Sequence, residues 1–227
     1  MSYPTIKLRR GKEESLGRFH PWVFSGAIAT LPDGLEEGDV VGVIAADGTP
    51  LGVGHFQIGS IAVRMLSFDA DTSIDEEFYR QRLADALRMR QVLGLRRHDN
   101  NAFRLVHGEG DFLPGLVVDV YGDTAVIQAH SPGMHYARHT IANVLTGMPE
   151  AGIHNIYYKS ETTLPYKARL DPVNDYLIGH ADTDVAIENS LKFHVDWLRG
   201  QKTGFFVDQR DNRALLGKYA AARRVLN

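Results

Sequence analysis

Apolar residues follow three patterns along the chain, and the first covers residues 1 to about 70. Short runs rich in β-branched residues extend over Asp39 to Ile44, Thr49 to Phe56 and Ile61 to Leu66. They are separated by turn signals such as Ala46-Asp47-Gly48-Thr49. Such runs between glycine-containing turns are typical of small β-proteins. The pattern predicts an all-β barrel over residues 1 to 72.

A helical period opens the second region, residues 73 to 185. Ser73-Ile74-Asp75-Glu76 has the form of a capping box. Apolar residues then recur at helical spacing until Gly94, at Tyr79, Leu83, Ala86 and Leu87. We expect a helix whose solvent face is crowded with arginines, namely Arg80, Arg82, Arg88 and Arg90.

The rest of this region mixes strand and helix signals. Leu116 to Tyr121 and Thr124 to Ala129 are β-rich and flank Gly122-Asp123, a two-residue hairpin signal. A second helix is predicted from about His135 to Leu145, followed by a strand from Ile153 to Tyr158. Residues 73 to 185 are therefore predicted to form an α+β middle domain.

A period of two returns after Ile187 and begins the third region, residues 186 to 227. Alternating apolar residues predict a strand over 191 to 197, with Phe205 to Val207 as its hairpin partner. Arg210 to Tyr219 has a helical pattern, and Arg224-Val225-Leu226 would begin another strand.

Composition gives the background of an ordinary globular protein: 44% hydrophobic residues, 23% charged residues and a formal net charge of −3. No apolar run approaches the roughly 20 residues of a membrane span, and no apolar stretch follows the basic N-terminus. We therefore expect a cytoplasmic protein. Because the chain contains no cysteine, it has no disulfide, thiolate ligand or sulfur nucleophile.

Charges are segregated into blocks. Residues 31 to 75 carry eight acids and one base, whereas residues 80 to 97 carry six arginines and one acid. Residues 192 to 227 hold eight bases and three acids. Each basic block is either a footprint for a phosphate backbone or a solvated helix face.

Three motifs, in order, resemble one family. Residues 7 to 26, KLRRGKEESLGRFHPWVFSG, are similar to the opening of a PUA domain, an RNA-binding barrel. Arg104-Leu105, Glu109, Asp111, Leu113 to Leu116 and Asp119 resemble the middle domain of a family of bacterial ribosomal RNA cytosine-5 methyltransferases. Lys202 to Arg210, KTGFFVDQR, with Asn212-Arg213, resembles the segment that leads into that family's class I methyltransferase core.

The resemblance implies a mixed α/β, multidomain fold: a PUA-like β-barrel, an α+β middle domain and the truncated start of a Rossmann-like methyltransferase core. It implies S-adenosylmethionine (SAM) as cofactor and ribosomal RNA as partner. The glycine-rich turn expected after the first core strand is not among these residues, and methylation of cytosine C5 in this family uses a cysteine thiolate. We therefore expect no catalytic residue in this chain, and no activity of the chain alone.

The resemblance also assigns candidate site residues. Cofactor contacts are expected from Lys202, Thr203, Gly204, Phe205, Phe206, Asp208, Gln209 and Arg210. Either phenylalanine would cover a flat face of cofactor or base, and the alternative is that Phe205, Phe206 and Val207 form a buried strand. RNA contacts are expected from Arg9, Arg10, Lys12, Arg18 and His20. Trp22 and Phe24, two positions apart, are predicted to point into the barrel core.

Two other functions remain open. The first is a free-standing RNA-binding adaptor without catalysis. The second is a metal-dependent hydrolase using His130, His135 and His139, of which the last two have ligand spacing on a predicted helix but lack an HExxH motif. We predict no metal site, and an unpaired strand edge at Val225-Leu226 makes a homodimer possible.

Overall fold

We describe a computed structural model of the chain, which covers residues 3–165, 170, 172 and 174–225. Three clusters of buried apolar side chains organise it: one within residues 6–65, one within 66–158, and a third that joins residues 102–157 to residues 186–207. No helix in the described ranges is both long and apolar enough to cross a membrane.

The N-terminal region is a six-stranded sheet in the order β2-β6-β5-β4-β1-β3. Its elements are β1 Thr5–Leu8, α1 Glu14–Gly17, β2 Trp22–Phe24, β3 Ile28–Thr30, β4 Val40–Ile44, β5 Pro50–Phe56 and β6 Ile61–Ser67. Strands β1 and β4 are parallel, and the other pairs are antiparallel. The three predicted runs are strands β4, β5 and β6, as expected.

The all-β prediction for this region needs one correction. The short helix α1 and a 3-10 turn, Ser25–Ala27, interrupt the strands. Leu16 is the buried residue of α1 and packs into the sheet's core cluster. The helix therefore contributes a buried side chain to a core that was expected to be built from strands alone.

Helix α2 runs from Glu76 to Val92 and ends before Gly94, as predicted. The cap is different, because Asp75 rather than Ser73 accepts a hydrogen bond from the backbone N–H of Phe78, at 3.0 Å. Asp75 satisfies one of the free N–H groups of the first turn. The predicted capping box is therefore wrong by two residues.

The arginine-rich face of α2 is only partly solvated. Arg80 and Arg88 pair with acids on the same helix, at Glu76 and Asp85. Arg90 instead lies in a nearly buried ion pair with Asp111, and its Nε donates to the Arg104 carbonyl at 3.0 Å. The prediction that Arg90 lies on a solvent face is wrong, because this side chain fastens α2 to the sheet.

The middle region contains a five-stranded sheet in the order β11-β10-β9-β8-β7. Its strands are β7 Ala102–His107, β8 Leu116–Tyr121, β9 Thr124–Ala129, β10 Asn155–Tyr158 and β11 Asp175–Ile178. The predicted hairpin is β8 and β9. The predicted helix over 135–145 is two helices, α3 Pro132–Tyr136 and α4 Arg138–Thr146, which meet at Ala137.

Both faces of this sheet are covered, and alternate residues serve different cores. On β8, Leu116, Val118 and Val120 pack on the side of α2 and α4. Asp119 and Tyr121 point to the opposite face, where the C-terminal residues pack. This alternation places the functional candidates on one face.

The C-terminal residues form β12 Val185–Glu188, β13 Leu191–His194 and α5 Arg210–Ala220. The helix agrees with its prediction, but the hairpin does not. Strand β13 pairs with β12, whereas Val207 begins a 3-10 turn that ends at Gln209. Arg224 and Val225 belong to no strand, and the rest of the predicted last strand lies outside the described residues.

Candidate functional site

A buried polar network joins the middle sheet to the segment Lys202 to Arg210, which we call the KTGFF segment. Asp119 on β8 is fully buried, and the Nε and Nη2 atoms of Arg104 donate to its two oxygens at 2.8 and 2.9 Å. The hydroxyl of Thr203, also fully buried, donates to Asp119 Oδ2 at 2.6 Å. Because that hydroxyl proton is used, the Tyr121 hydroxyl donates to Thr203 Oγ1, at 2.9 Å.

The charges of this network stabilise one protonation state. The hydrogen bond to Asp119 is the main cause that raises the pKa of Arg104. Burial, with the nearby Asp119 carboxylate, raises the pKa of Tyr121. Arg104 is therefore a cation, and Tyr121 a neutral donor, throughout the physiological range.

Gly204 lets the KTGFF segment approach the preceding chain. Its φ is +112°, and a Cβ at this position would lie 2.8 Å from the backbone N and Cα of Trp197. Trp197 in turn stacks on Tyr121 with the rings 8° from parallel, and its Nε1 donates to the Tyr176 hydroxyl at 3.0 Å. Only glycine combines this φ with this contact.

The other residues of the segment divide into buried and exposed groups. Phe205 is half-buried against Phe193, with the Arg213 guanidinium 4.3 Å from its ring centre. Phe206 is exposed, and the Lys202 ammonium lies 4.5 Å from its ring centre. The alternative, in which Phe205, Phe206 and Val207 form a buried strand, is therefore wrong. These residues form no strand and Phe206 is exposed, although Val207 is buried.

The polar residues of the segment differ in the same way. Asp208 and Gln209 are exposed and hydrogen-bonded to each other at 3.0 Å, which is the first cause that lowers the pKa of Asp208. Arg210 is half-buried and donates to the Ala102 carbonyl at 3.1 Å. Lys202, Phe206, Asp208 and Gln209 can reach a ligand, whereas Arg210 is largely engaged by the protein.

A cavity of about 550 Å³ opens beside Asp208. Arg104 and Arg210 line it together with the exposed apolar side chains of Met89 and Leu93. The mixture of apolar surface and a few charged groups is typical of small-molecule sites. The sequence indicated Asp208 and Arg210 as site residues and Arg104 only through the family resemblance, whereas Met89 and Leu93 were not identified.

The five predicted RNA-binding residues, Arg9, Arg10, Lys12, Arg18 and His20, are all exposed. Arg9, Arg10 and Lys12 lie between β1 and α1, and Arg18 and His20 follow α1, so all five belong to the segments that flank this short helix. Arg9 is partly fixed by a bond from its Nε to the Ile28 carbonyl at 3.0 Å. The edge of His20 packs on Trp22 with the ring centres 5.7 Å apart.

Trp22 and Phe24 were expected in the barrel core, and this prediction is wrong. Val23 is the buried residue of β2, whereas Phe24 is 48% exposed. Trp22 and Phe24 instead line a cavity of about 300 Å³ with Lys12. Two aromatic residues do not show which face of a three-residue strand is buried, because either face can pack against the core.

Trp22 also connects the N-terminal sheet to the middle region. Its Nε1 donates to Glu109 Oε1 at 2.7 Å, and Arg64 Nη1 donates to the same oxygen at 2.9 Å. Glu109 was identified from the sequence only through the family resemblance, and Arg64 was not identified. A lone arginine in the apolar strand β6 was the available signal for a buried ion pair.

The three histidines His130, His135 and His139 were the candidate metal ligands. His135 is buried, and its Nδ1 is 2.7 Å from the Tyr158 hydroxyl. Burial is the first cause that lowers the pKa of His135 to about 4. Among the described residues, no group of three or more His, Cys, Asp or Glu side chains is placed to hold a metal ion.

Comparison with known proteins gives one domain and a set of relatives. Residues 6–68 match a PUA-like domain family, which confirms the predicted N-terminal domain type. The chain is 39% identical to ribosomal RNA large subunit methyltransferase I of Shewanella amazonensis and 40% identical to that of Alteromonas mediterranea. Each alignment covers 98% of this chain and 56% of the relative, so the chain spans little more than half their length.

Two solved structures share the fold. A proposed SAM-dependent methyltransferase from Streptococcus mutans has a TM-score of 0.78 at 19% identity, over 96% of this chain and 55% of the other. A proposed methyltransferase in complex with SAH has a TM-score of 0.75 at 19% identity, over 95% of this chain and 53% of the other. The mixed α/β architecture is thus one that occurs within larger chains.

Proposed function

We propose that this chain is the RNA-binding part of a SAM-dependent methyltransferase of large-subunit ribosomal RNA, together with the segment that leads into its catalytic core. The observation that carries the proposal is 39–40% identity to such enzymes over 98% of the chain. The PUA-like match at residues 6–68 supports the RNA-binding role. The same relatives favour this proposal over a free-standing RNA-binding adaptor.

The exposed part of the KTGFF segment fits a contact with SAM. It presents the flat face of Phe206, the ammonium of Lys202 and the amide of Gln209, and these groups match an aromatic ring or sulfonium, a carboxylate and a polar edge respectively. The structure of the fold relative with SAH is consistent with such a cofactor. SAM, when bound, supplies an electrophilic methyl group.

The buried residues of the segment would then act as positioning residues. Thr203 anchors the backbone to Asp119, and Gly204 allows the close approach to Trp197. Between them they hold Lys202 and Phe206 at one place on the surface. Such support lowers the entropy cost of binding, since fewer torsions must be ordered when the ligand binds.

We propose cytosine C5 as the methylated atom. Methylation there needs a thiolate that adds to C6, which makes C5 nucleophilic. The 227 residues contain no cysteine. The thiolate must therefore lie outside them, and the chain by itself is proposed to be inactive.

RNA binding is assigned to the exposed residues at the end of β1 and around α1. Arginine and lysine contact phosphate, and His20 is placed to stack on a base. The proposed protein is cytoplasmic, as its RNA substrate requires. A homodimer and the boundaries at residues 72 and 185 remain predictions.

Methyl transfer from radiolabelled SAM to large-subunit ribosomal RNA tests the proposal. The complete gene product is expected to label the RNA, and the 227-residue chain is expected to bind the RNA without labelling it. Labelling by the 227-residue chain would show that catalysis needs no cysteine. Absence of labelling and of RNA binding by the complete product would refute the assignment.

A further inference from the structure

We propose that a second surface, which we call the basic groove, binds the sugar-phosphate backbone of single-stranded RNA. It is a concavity of about 620 Å³ between the middle sheet and residues 198–202. Its functional lining consists of Arg104, Gln128, His130, Lys159, Arg199 and Lys202. Arg104 and Lys202 belong to the family motifs discussed above, and His130 was considered there as a metal ligand, but no motif identified the groove itself.

The groove is basic although the chain is not. Within the part of the chain that the structure describes, its lining contains no Asp or Glu, whereas the whole protein has a net charge of −3. Arg104 is neutralised by Asp119, and the pKa of Lys159 is lowered by burial, an effect that the nearby charge of Asp196 opposes. Lys159, Arg199 and Lys202 still leave a positive excess, which attracts phosphate.

Lys159 is placed as a donor at the inner wall. Its Nζ donates to the Gly200 carbonyl at 2.5 Å, and burial is the first cause that lowers its pKa. An ammonium has three N–H donors, so one bond to the protein leaves two for a phosphate. The same bond fixes the 198–202 loop, which carries Arg199 and Lys202, relative to the sheet.

The floor of the groove is the exposed continuation of the Asp119 face. Val117 and Gln128 lie on β8 and β9 directly opposite each other. The Gln128 amide makes no side-chain hydrogen bond within the described ranges, although the residue is only 7% exposed. A buried amide aimed into a groove suits the hydroxyl of a ribose or a base edge.

One lining residue of the groove, His130, lies near residues that are linked to the predicted RNA-binding face. Burial and the charges of Arg64 and Arg104 lower the pKa of His130. Arg64 shares Glu109 with Trp22, and His20 packs on Trp22. Contacts therefore join His20 to Arg64 through Trp22 and Glu109, and His130 and Lys202 line the same groove.

The far end of this path carries an aromatic side chain. The Lys202 ammonium lies above the ring of the exposed Phe206. A basic groove that ends at a stacking platform is typical of single-strand binding. The inference rests on the proposed function only in taking RNA as the ligand.

Fluorescence anisotropy with a short fluorescein-labelled single-stranded RNA tests the groove in the 227-residue chain. The groove variant is Arg199→Gln with Lys202→Gln, two exposed side chains. A matched control, Lys192→Gln with Lys218→Gln, removes the same charge from exposed positions outside the lining. A third variant, Arg9→Gln with Arg10→Gln, tests the N-terminal face, and urea unfolding checks that all variants fold.

The groove variant is expected to raise Kd about ten-fold and to reduce the slope of log K against log salt by about 1.4, since each phosphate contact on a single strand contributes roughly 0.7. The control should change both quantities much less. Equal effects of groove and control variants would overturn the groove while leaving RNA recognition intact, especially if Arg9→Gln with Arg10→Gln weakens binding. No binding by the unmodified chain would overturn the proposed function as well.

Discussion

The hydroxyl of Thr203 allows the buried network to be separated from simple packing. Thr203 is fully buried, and its hydroxyl donates to one oxygen of Asp119 and accepts from Tyr121. Thr203→Val keeps the volume of the side chain and removes both hydrogen bonds. Thr203→Ser keeps the hydroxyl and removes one methyl group.

The two substitutions differ in their expected cost. A hydrogen bond to a charged acceptor contributes about 1.5–3 kcal/mol, and a buried partner left without one adds to the loss. We expect Thr203→Val to lower the free energy of unfolding by about 2–3 kcal/mol. Loss of one buried methyl in Thr203→Ser should cost about 1 kcal/mol.

Urea unfolding of the 227-residue chain, followed by circular dichroism, measures both values. The order of stability should be wild type, then Ser, then Val. If packing dominated, the order of the two variants would reverse, because valine fills the site and serine does not. A Thr203→Val protein within about 0.5 kcal/mol of wild type would refute the anchoring role of this residue.

Two further predictions concern stability. Burial lowers the pKa of His55 to about 4, from a usual value near 6.5. Between these pH values the unfolded chain binds a proton that the folded chain does not, so the free energy of unfolding should fall as the pH drops from 6.5 to 4. In His55→Asn the dependence of this free energy on pH should be shallower, by up to about 1.4 kcal/mol per pH unit. An unchanged slope in that variant would contradict the burial argument. Gly204→Ala should destabilise the chain by more than about 1 kcal/mol, because its Cβ would meet the Trp197 backbone. The control Gly217→Ala lies within α5, where nothing is within 4 Å, and should be neutral or stabilising by about 0.5–1 kcal/mol in the same assay. Equal effects of the two substitutions would contradict the close approach at Gly204.

Strand patterns were predictable where a strand has one strong local signal. The β8–β9 hairpin is an example, because apolar runs flank Gly122-Asp123 and a turn of two residues defines the register. The function of the polar residues within these apolar runs was harder to predict. Asp119 in LVVDVY and Gln128 in TAVIQA are the polar residues inside these runs, and both point to the face that carries the site.

Predictions failed where distant contacts decide between local alternatives. Strand β13 could pair with β12, which precedes it, or with Phe205 to Val207, which follows it. It pairs with β12, although Phe205 to Val207 is more apolar. Phe205 and Val207 instead fill the third apolar cluster against the middle sheet. Trp22 behaved similarly, since its partner Glu109 is 87 residues away.

The measurement that tests the central claim most directly is nucleoside mass spectrometry of large-subunit ribosomal RNA from the source organism. Deletion of the gene should remove one 5-methylcytidine, and the complete gene should restore it. A version with Arg199→Gln, which changes the basic groove and leaves the proposed SAM contact Lys202 in place, should restore it only partly. If the methylated nucleosides are the same with and without the gene, the chain does not belong to a ribosomal RNA methyltransferase.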